Sequence, residues 1–377
     1  MKIVHIISGL TKGGGERVAV ELANTAAEKG DEVTILAAWP VDPELLQNSI
    51  SKKVAVKFIS NENRLAYFKI IPWIIKNKNW LASANVLHCH LTYGAVFGAM
   101  VKIFLKNRDD KKLPVVVETN HAVGMPVPKI NRWIHARLIA LKDGLALMAK
   151  DPYWDKFIEQ HPRLINEFIP NGIALNVDEK SEEKRSHLKK ALGVTAENKF
   201  LVGTVSMLRP DRKPELYTTI YKTIYQKLGK EADFILGGNG VEFEKIKTTV
   251  QQNNLAAGFH MPGLIQAASE LINNLDVYVS ISVGKMTGIS MIEAALCKVP
   301  VVGIQLTDGY VSTDEDWIWS STNLNEVAEK IIFLLKNEDE RKKLAVKQFN
   351  YANEHFTADA MYKSYNAFYK RVISKNN

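Results

Sequence analysis

Cysteine is scarce in this chain: Cys89 and Cys297 are the only two in 377 residues. Two thiols so far apart make neither a zinc-ligand spacing nor a disulfide framework, so a reducing compartment is the default. Long apolar runs are missing as well. None approaches the roughly 18 residues that a membrane span requires, and the opening run at 2–8 is too short for the core of an export signal with its cleavage site. The expectation is a cytoplasmic protein. No Gly-Lys-Ser/Thr triplet occurs, which excludes a P-loop, and the first glycine loop, SGLTKGGGER, lacks the G-x-G-x-x-G spacing of a dinucleotide site. The second strand ends in AAWPVD without an acid at the ribose position, so hydride transfer also loses ground. Short internal repeats and low-complexity tracts are absent, which argues against solenoids and disordered arms.

The composition is otherwise ordinary for a globular protein, with 46% hydrophobic and 24% charged residues. The length suits two domains, each with its own core. A net charge of +8 favours a polyanionic partner. No nucleic-acid-binding module accompanies that charge, so nucleic acid is not expected. Strand patterns at 2–8, 32–38, 86–91 and 114–120 alternate with helical stretches, and a second set begins at FLVGTVSM, residues 200–207, followed by DFILGG, GFHMPG, LDVYVS and PVVGIQ. Alternation of this kind predicts two doubly wound, parallel α/β layers. The Pro-Asn-Gly turn of FIPNGI at 168–173 and the charged stretch at 178–190 mark the join. The predicted domains are 1–177 and 178–357, with a basic, aromatic helix at 358–377.

The richest stretch is GKMTGISMIEAALCKVPVVG, residues 284–303. It follows a strand pattern at 275–282 and combines glycines with a helix predicted over 289–297. Unpaired N–H groups at Gly288 and Ile289, together with the positive end of the helix dipole, favour a phosphate there. Glu293 lies one turn further on, and its acceptor-only carboxylate suits the two hydroxyls of a ribose. Ordinary α/β domains also place a strand and helix in this way, so the stretch alone leaves both readings open.

The ordered set of motifs resembles the retaining glycosyltransferase family 4 group almost from end to end. KGGGER at 12–17, VLHCH at 86–90, VVVETNH ending in His121, IPNGI at 169–173, GTVSMLRPDRKP at 203–214, GGNGVEFEKIK and TGISMIEAALCKVPVV stand in the family's order. The resemblance implies a GT-B fold: two Rossmann-like domains facing a central cleft, an N-terminal acceptor side and a C-terminal side that binds the nucleotide sugar. It implies that the helix at 358–377 packs back on the first domain. It further implies that Gly14 and Gly15 approach the donor diphosphate and that His121 stands beside the transferred sugar. Lys213, helped by Arg209, would neutralise the diphosphate, Met207 taking the place of the usual arginine. Glu293 matches the second glutamate of the family's paired-acid motif.

The first glutamate of that pair is replaced by Lys285. A lysine cannot accept a hydrogen bond, so the family's contact with sugar hydroxyls at that position is lost. Three accounts fit: a contact with an acidic or extra-phosphorylated sugar, a pairing with the diphosphate, or a site without turnover. Lys298 likewise replaces a glycine that usually precedes the Pro-Val-Val strand. No Asp-x-Asp motif flanked by strand is present and no metal is expected, in keeping with charge handled by lysine and arginine. No pair of acids has the spacing of a glycosidase. The implied reaction is therefore front-face transfer with retention, from a UDP-, GDP- or ADP-sugar to a saccharide or lipid-linked acceptor, with no separate cofactor. The alternative is a binding protein that no longer turns over. Residues 64–80 and 129–142 mix tryptophan, lysine and arginine, which suits either peripheral contact with the inner face of an anionic membrane or helices covering a sheet.

Overall fold

The computed structural model describes residues 1–10, 13–40, 49–61, 65–105, 113–121, 129–148, 152–175, 180–194, 200–265, 268–282, 288–306 and 317–376. The chain divides into two compact units, Met1–Ala174 with Thr357–Asn377, and Leu175–Phe356.

The first unit is built on seven parallel strands: β1 (Lys2–Ile7), β2 (Glu32–Ala37), β3 (Ala55–Phe58), β4 (Val86–His90), β5 (Val115–Asn120), β6 (Gly144–Leu147) and β7 (Ile165–Phe168). They lie in the order β3-β2-β1-β4-β5-β6-β7. Strands such as KIVHII and VLHCH are buried along almost their whole length because a parallel sheet is covered on both faces. The chain leaves β1 for β2 on one side and later crosses to β4 on the other, an order that puts helices on both faces and leaves a switch point between β1 and β4. The helix Leu91–Leu105 packs close to the sheet through its glycines: a Cβ on Gly94 would lie 2.6 Å from the Ile6 carbonyl oxygen, and one on Gly98 2.5 Å from Cys89 Sγ.

The second unit carries β8 (Phe200–Val205), β9 (Ala232–Gly237), β10 (Phe259–Gly263), β11 (Val277–Ser282), β12 (Val301–Gln305) and β13 (Trp319–Ser321). All are parallel, in the order β10-β9-β8-β11-β12-β13. Reversal of direction between β8 and β11 makes a second switch point, the usual place for a ligand in such sheets. The helix Glu215–Leu228 covers one face with Tyr217, Ile220, Tyr221 and Ile224, which pack with Phe234 and Phe259.

Several elements depart from the sequence expectations. Strands β3, β6, β7 and β13 have only three or four residues, too few for periodicity to register. The charged stretch after the first unit contains a helix, Glu182–Ala191, capped by Ser181, whose Oγ accepts from Lys184 N at 3.2 Å. None of its residues is buried, so it does pack poorly into a core. In the basic stretch at 64–80, the tryptophans do not form an outward stripe. Trp73 and Trp80 meet edge to face at 5.8 Å, Trp73 also meets Phe97, and both lie against the buried cluster of the first unit.

Candidate functional site

At the second switch point, the loop 206–213 follows β8. Its backbone is propped by the glycine turn after β9: Ser206 N donates to Gly237 O at 2.9 Å and Leu208 N to Asn239 O at 3.0 Å. Gly238, at φ +126°, is required there, since a Cβ would collide with the Ser206 carbonyl oxygen. A short 3-10 turn, Pro210–Arg212, then delivers Lys213 in the left-handed conformation, φ 43° and ψ 52°. Part of the cause is local, because Pro214 disfavours the right-handed helical region for its predecessor. A non-glycine residue held left-handed costs about 1–3 kcal/mol and marks a loop specified by its surroundings. Lys213 is exposed. Arg209 is engaged within the loop by a two-pronged pair with Asp211, at 3.0 and 2.8 Å, so its cation is already shared with a carboxylate. Met207 is exposed beside them.

Across the switch point, Gly288 is the N-cap of the helix Ile289–Leu296, with no side-chain cap. Gly288 itself is exposed, and among the described residues a Cβ there would meet nothing within 4 Å. Glu293 is buried on that helix. Tyr278 on β11 joins the two sides: its hydroxyl donates to Val205 O at 3.2 Å, lies 3.3 Å from Thr204 Oγ1, and is bonded with Ser290. Burial first, and then the nearby Glu293 charge, push the Tyr278 phenol up. Lys285 lies outside the described residues, as do the domain boundary at 177–178 and Arg64.

In the first unit, Gly14 and Gly15 open the helix Gly14–Glu28 after β1. A Cβ on Gly15 would lie 3.3 Å from His121 Cγ and 3.4 Å from Leu91 Cδ2, so Gly15, Leu91 and His121 meet at the carboxyl ends of three neighbouring strands. Leu91 is left-handed, φ 59°, a feature that a leucine in sequence does not signal. His121 belongs to a buried chain. His5 Nδ1 and His90 Nε2 are 3.1 Å apart, and His90 Nδ1 and His121 Nε2 3.0 Å apart. Burial drives the imidazole of His5 down to about 3 and that of His121 down to about 4; His90 is lowered by burial and then by the histidines around it. All three are neutral near pH 7. His88 is held separately, by Tyr369 at 2.7 Å and Thr119 at 2.6 Å.

Among the described residues, His5, His88 and His90 are close enough to share a metal ion. Both nitrogens of His88 and both of His90, however, are already in hydrogen bonds, as is Nδ1 of His5. Five of the six nitrogens of these three rings are thus taken, and the donor set does not fit a metal without breaking those bonds. The two cysteines are buried, and burial raises each thiol to about 12, which removes them as nucleophiles.

A model of glycosyltransferase family 4 matches residues 12–176, and one of the glycosyl transferases group 1 matches residues 187–350. The chain belongs to the family 4 glycosyltransferases. The N-acetyl-alpha-D-glucosaminyl L-malate synthase of Bacillus anthracis is 22% identical over 96% of this chain and 94% of its own length. The poly(ribitol-phosphate) alpha-N-acetylglucosaminyltransferase of Staphylococcus aureus (strain COL) is 26% identical over 142 residues, 37% of this chain and only 29% of that protein. Among solved structures, Anabaena Alr3699/HepE in complex with UDP and glucose superimposes with a TM-score of 0.77 at 18% identity, covering 98% of this chain and 99% of that one. The fold of this glycosyltransferase is GT-B. The two family models meet the chain on either side of 177–186, and the loops described above fall inside them.

Proposed function

We propose that this glycosyltransferase moves a sugar, with retention and without a metal, from a nucleoside diphosphate to a saccharide or lipid-linked acceptor in cell-surface glycan synthesis. The supporting observation is the second switch point, where an exposed lysine on a specified left-handed loop and an uncapped helix start flank one strand pair, with a buried carboxylate one turn behind. Lys213 and the N–H groups at Gly288 and Ile289 hold the diphosphate, with Arg209 joining if it leaves Asp211. Glu293 accepts from the ribose hydroxyls. As the bond from the anomeric carbon to the diphosphate oxygen breaks, negative charge grows on the leaving group, and fixed cationic and N–H partners stabilise it more than they stabilise the substrate. The acceptor hydroxyl attacks from the same face and gives its proton to the departing diphosphate. Gly14 and Gly15 admit the substrates closely, and His121 holds a hydroxyl of the transferred sugar.

Exposed Tyr67, Phe68, Ile71 and Ile75, near Lys69 and Lys76, and exposed Ile130 and Trp133 near Arg137, offer the peripheral contact with an anionic inner membrane face within 64–80 and 129–142. Among the described residues no helix is long and apolar enough to cross a membrane.

The test is a panel of UDP, GDP and ADP, each measured for its effect on the melting temperature, followed by release of the nucleotide from its sugars with acceptor present. UDP comes first because the Anabaena structure contains it. One nucleotide is expected to stabilise the protein, by about 2.7 kcal/mol at a hundred times its Kd. Product NMR is expected to show the donor's anomeric configuration, with turnover unaffected by a chelator. Nucleotide affinity unchanged by Glu293→Ala sinks the assignment of that residue. Lys285 supports a second reading, in which a nucleotide sugar binds without turnover. Binding without release across the panel favours it, whereas an altered donor preference in Lys285→Glu favours a changed donor site.

A further inference from the structure

The chain of imidazoles behind His121 has a property that its members lack singly. β1, β4 and β5 are adjacent and parallel, with His5 opposite His88 and His90 opposite Thr119 in register. Alternation of side chains along a strand therefore sets His5, His88, His90 and Thr119 on one face of the sheet, and His121, two positions beyond Thr119, continues their line. The rings of His5, His90 and His121 stand nearly parallel, at 27° and 28°, with centroids 5.3 Å apart in both pairs. Each link joins the Nδ1 of one ring to the Nε2 of the next, and the two outer nitrogens, His5 Nε2 and His121 Nδ1, have no hydrogen-bond partner among the described residues.

A neutral imidazole carries one N–H and one bare nitrogen, so every link needs one of each. Since both links run from Nδ1 to Nε2, the three rings must share one tautomer. Either all carry the proton on Nδ1 and His121 presents an N–H, or all carry it on Nε2 and His121 presents a bare nitrogen. The buried far end decides between them. Either form leaves one buried N–H without a partner among the described residues, at His5 or at His121. His5 is wholly buried, whereas His121 is only partly so and stands beside Gly15 at the carboxyl ends of the strands, where a ligand oxygen can accept from it.

We propose that His90 and His5 are positioning residues that hold His121 as the Nδ1–H tautomer, so that it donates a hydrogen bond to an oxygen of the transferred sugar. This rests on the placing of His121 beside that sugar in the proposed function. His88 serves as an internal control. It sits in the same cluster and packs on His90 at 4.0 Å, yet its own nitrogens bond to Thr119 and Tyr369, outside the chain.

The experiment is ring-nitrogen NMR of the full chain labelled with 15N-histidine, at neutral pH and without substrate, using single histidine-to-glutamine variants for assignment. His5, His90 and His121 are expected to show Nδ1–H together, and replacing His90 by phenylalanine is expected to release His121 to a mixture of tautomers. His88→Gln is expected to leave the His121 tautomer as it was. A different tautomer in any one of the three, or a charged His90, overturns the proposal in the unaltered protein, whatever the variants do to folding. In turnover assays His90→Phe is expected to lower kcat about tenfold, with the donor KM changed less than threefold. His90→Gln keeps a donor and an acceptor and is expected to recover part of the loss; no recovery, together with an unmoved His121 tautomer, counts against the role. The spectra need no substrate, so a shared tautomer in a protein that turns over no donor would fail the proposed function alone. Turnover with mixed tautomers would fail this inference alone.

Discussion

At the scale of single residues, three left-handed positions show what a sequence hides. Leu91, Lys213 and Lys298 hold φ values of 59°, 43° and 55°, although none is of a type that favours this region. Lys298 follows the helix Ile289–Leu296, and Lys298 N and Val299 N return to Ala295 O and Ala294 O at 3.0 and 2.9 Å. This is the helix end at which glycine is usual, so the structure gives a physical reason for the glycine that Lys298 replaces. The lysine compensates in part by placing Nζ 4.7 Å from the centre of the Phe349 ring. Relief of about 1–2 kcal/mol of backbone strain outweighs a cation–π contact of about 0.5–1 kcal/mol. Lys298→Gly is therefore expected to raise the urea midpoint by an amount equivalent to about 1 kcal/mol. A lowered midpoint would mean that the ring contact dominates.

At the scale of elements, the helix Ala358–Lys375 is a pattern legible in sequence, its packing on the first domain implied by the family resemblance and its individual contacts not. Its aromatic positions are visible as a stripe, and Tyr365, Phe368 and Tyr369 are indeed buried. What the stripe does emerges from its partners. The Tyr369 hydroxyl meets His88, the Tyr365 hydroxyl lies 2.8 Å from Thr119 Oγ1, and the Tyr362 hydroxyl donates to Asp31 Oδ2 at 3.0 Å. The helix is pinned at its start by the Pro-Asn-Gly turn: Ala358 N donates to Ile173 O at 2.9 Å, and a Cβ on Gly172 would collide with the Thr357 carbonyl oxygen. Tyr369→Phe is expected to cost about 1–3 kcal/mol, because it leaves a buried nitrogen of His88 unpaired, and Tyr362→Phe less, since that bond is only partly buried. Equal shifts in the urea midpoint would refute this ranking. The short edge strands and the inward tryptophans of 64–80 were illegible for a different reason. Three or four residues carry no periodicity, and which side of an aromatic, basic helix faces the sheet depends on neighbours far along the chain.

At the scale of the whole molecule, the buried groups of the first unit couple its stability to acid. His5 takes up a proton only near pH 3 and His121 near pH 4, whereas the unfolded chain does so near about 6.5. Below that value the unfolded state binds more protons, so stability falls as pH drops from about 6.5 towards 3. Glu118 acts with the same sign. Burial raises its carboxyl, but Lys142 and His135 beside it reverse the effect and leave it below the ordinary value. Its contribution is present above the unfolded pKa and is lost as pH falls through the depressed one. Urea midpoints are expected to fall steadily from pH 7 to pH 4.5. A flat profile over that range would show that these histidines are not held neutral as described; the Glu118 pair contributes only at lower pH.

The sequence by itself determined the α/β class, the two-part organisation, the family and the motifs that mark its loops, because buried parallel strands, glycine turns and helix starts are dictated by neighbours a few positions away. Only the tertiary structure decided how those motifs act. Gly15 meets Leu91 and His121, Lys213 is held on a propped left-handed loop, Arg209 is tied to Asp211, and three histidines, two on separate strands and one just past the end of a third, form one hydrogen-bonded chain. Each of these depends on the order of strands in a sheet and on contacts between residues tens of positions apart, and hydrophobic periodicity carries no record of either.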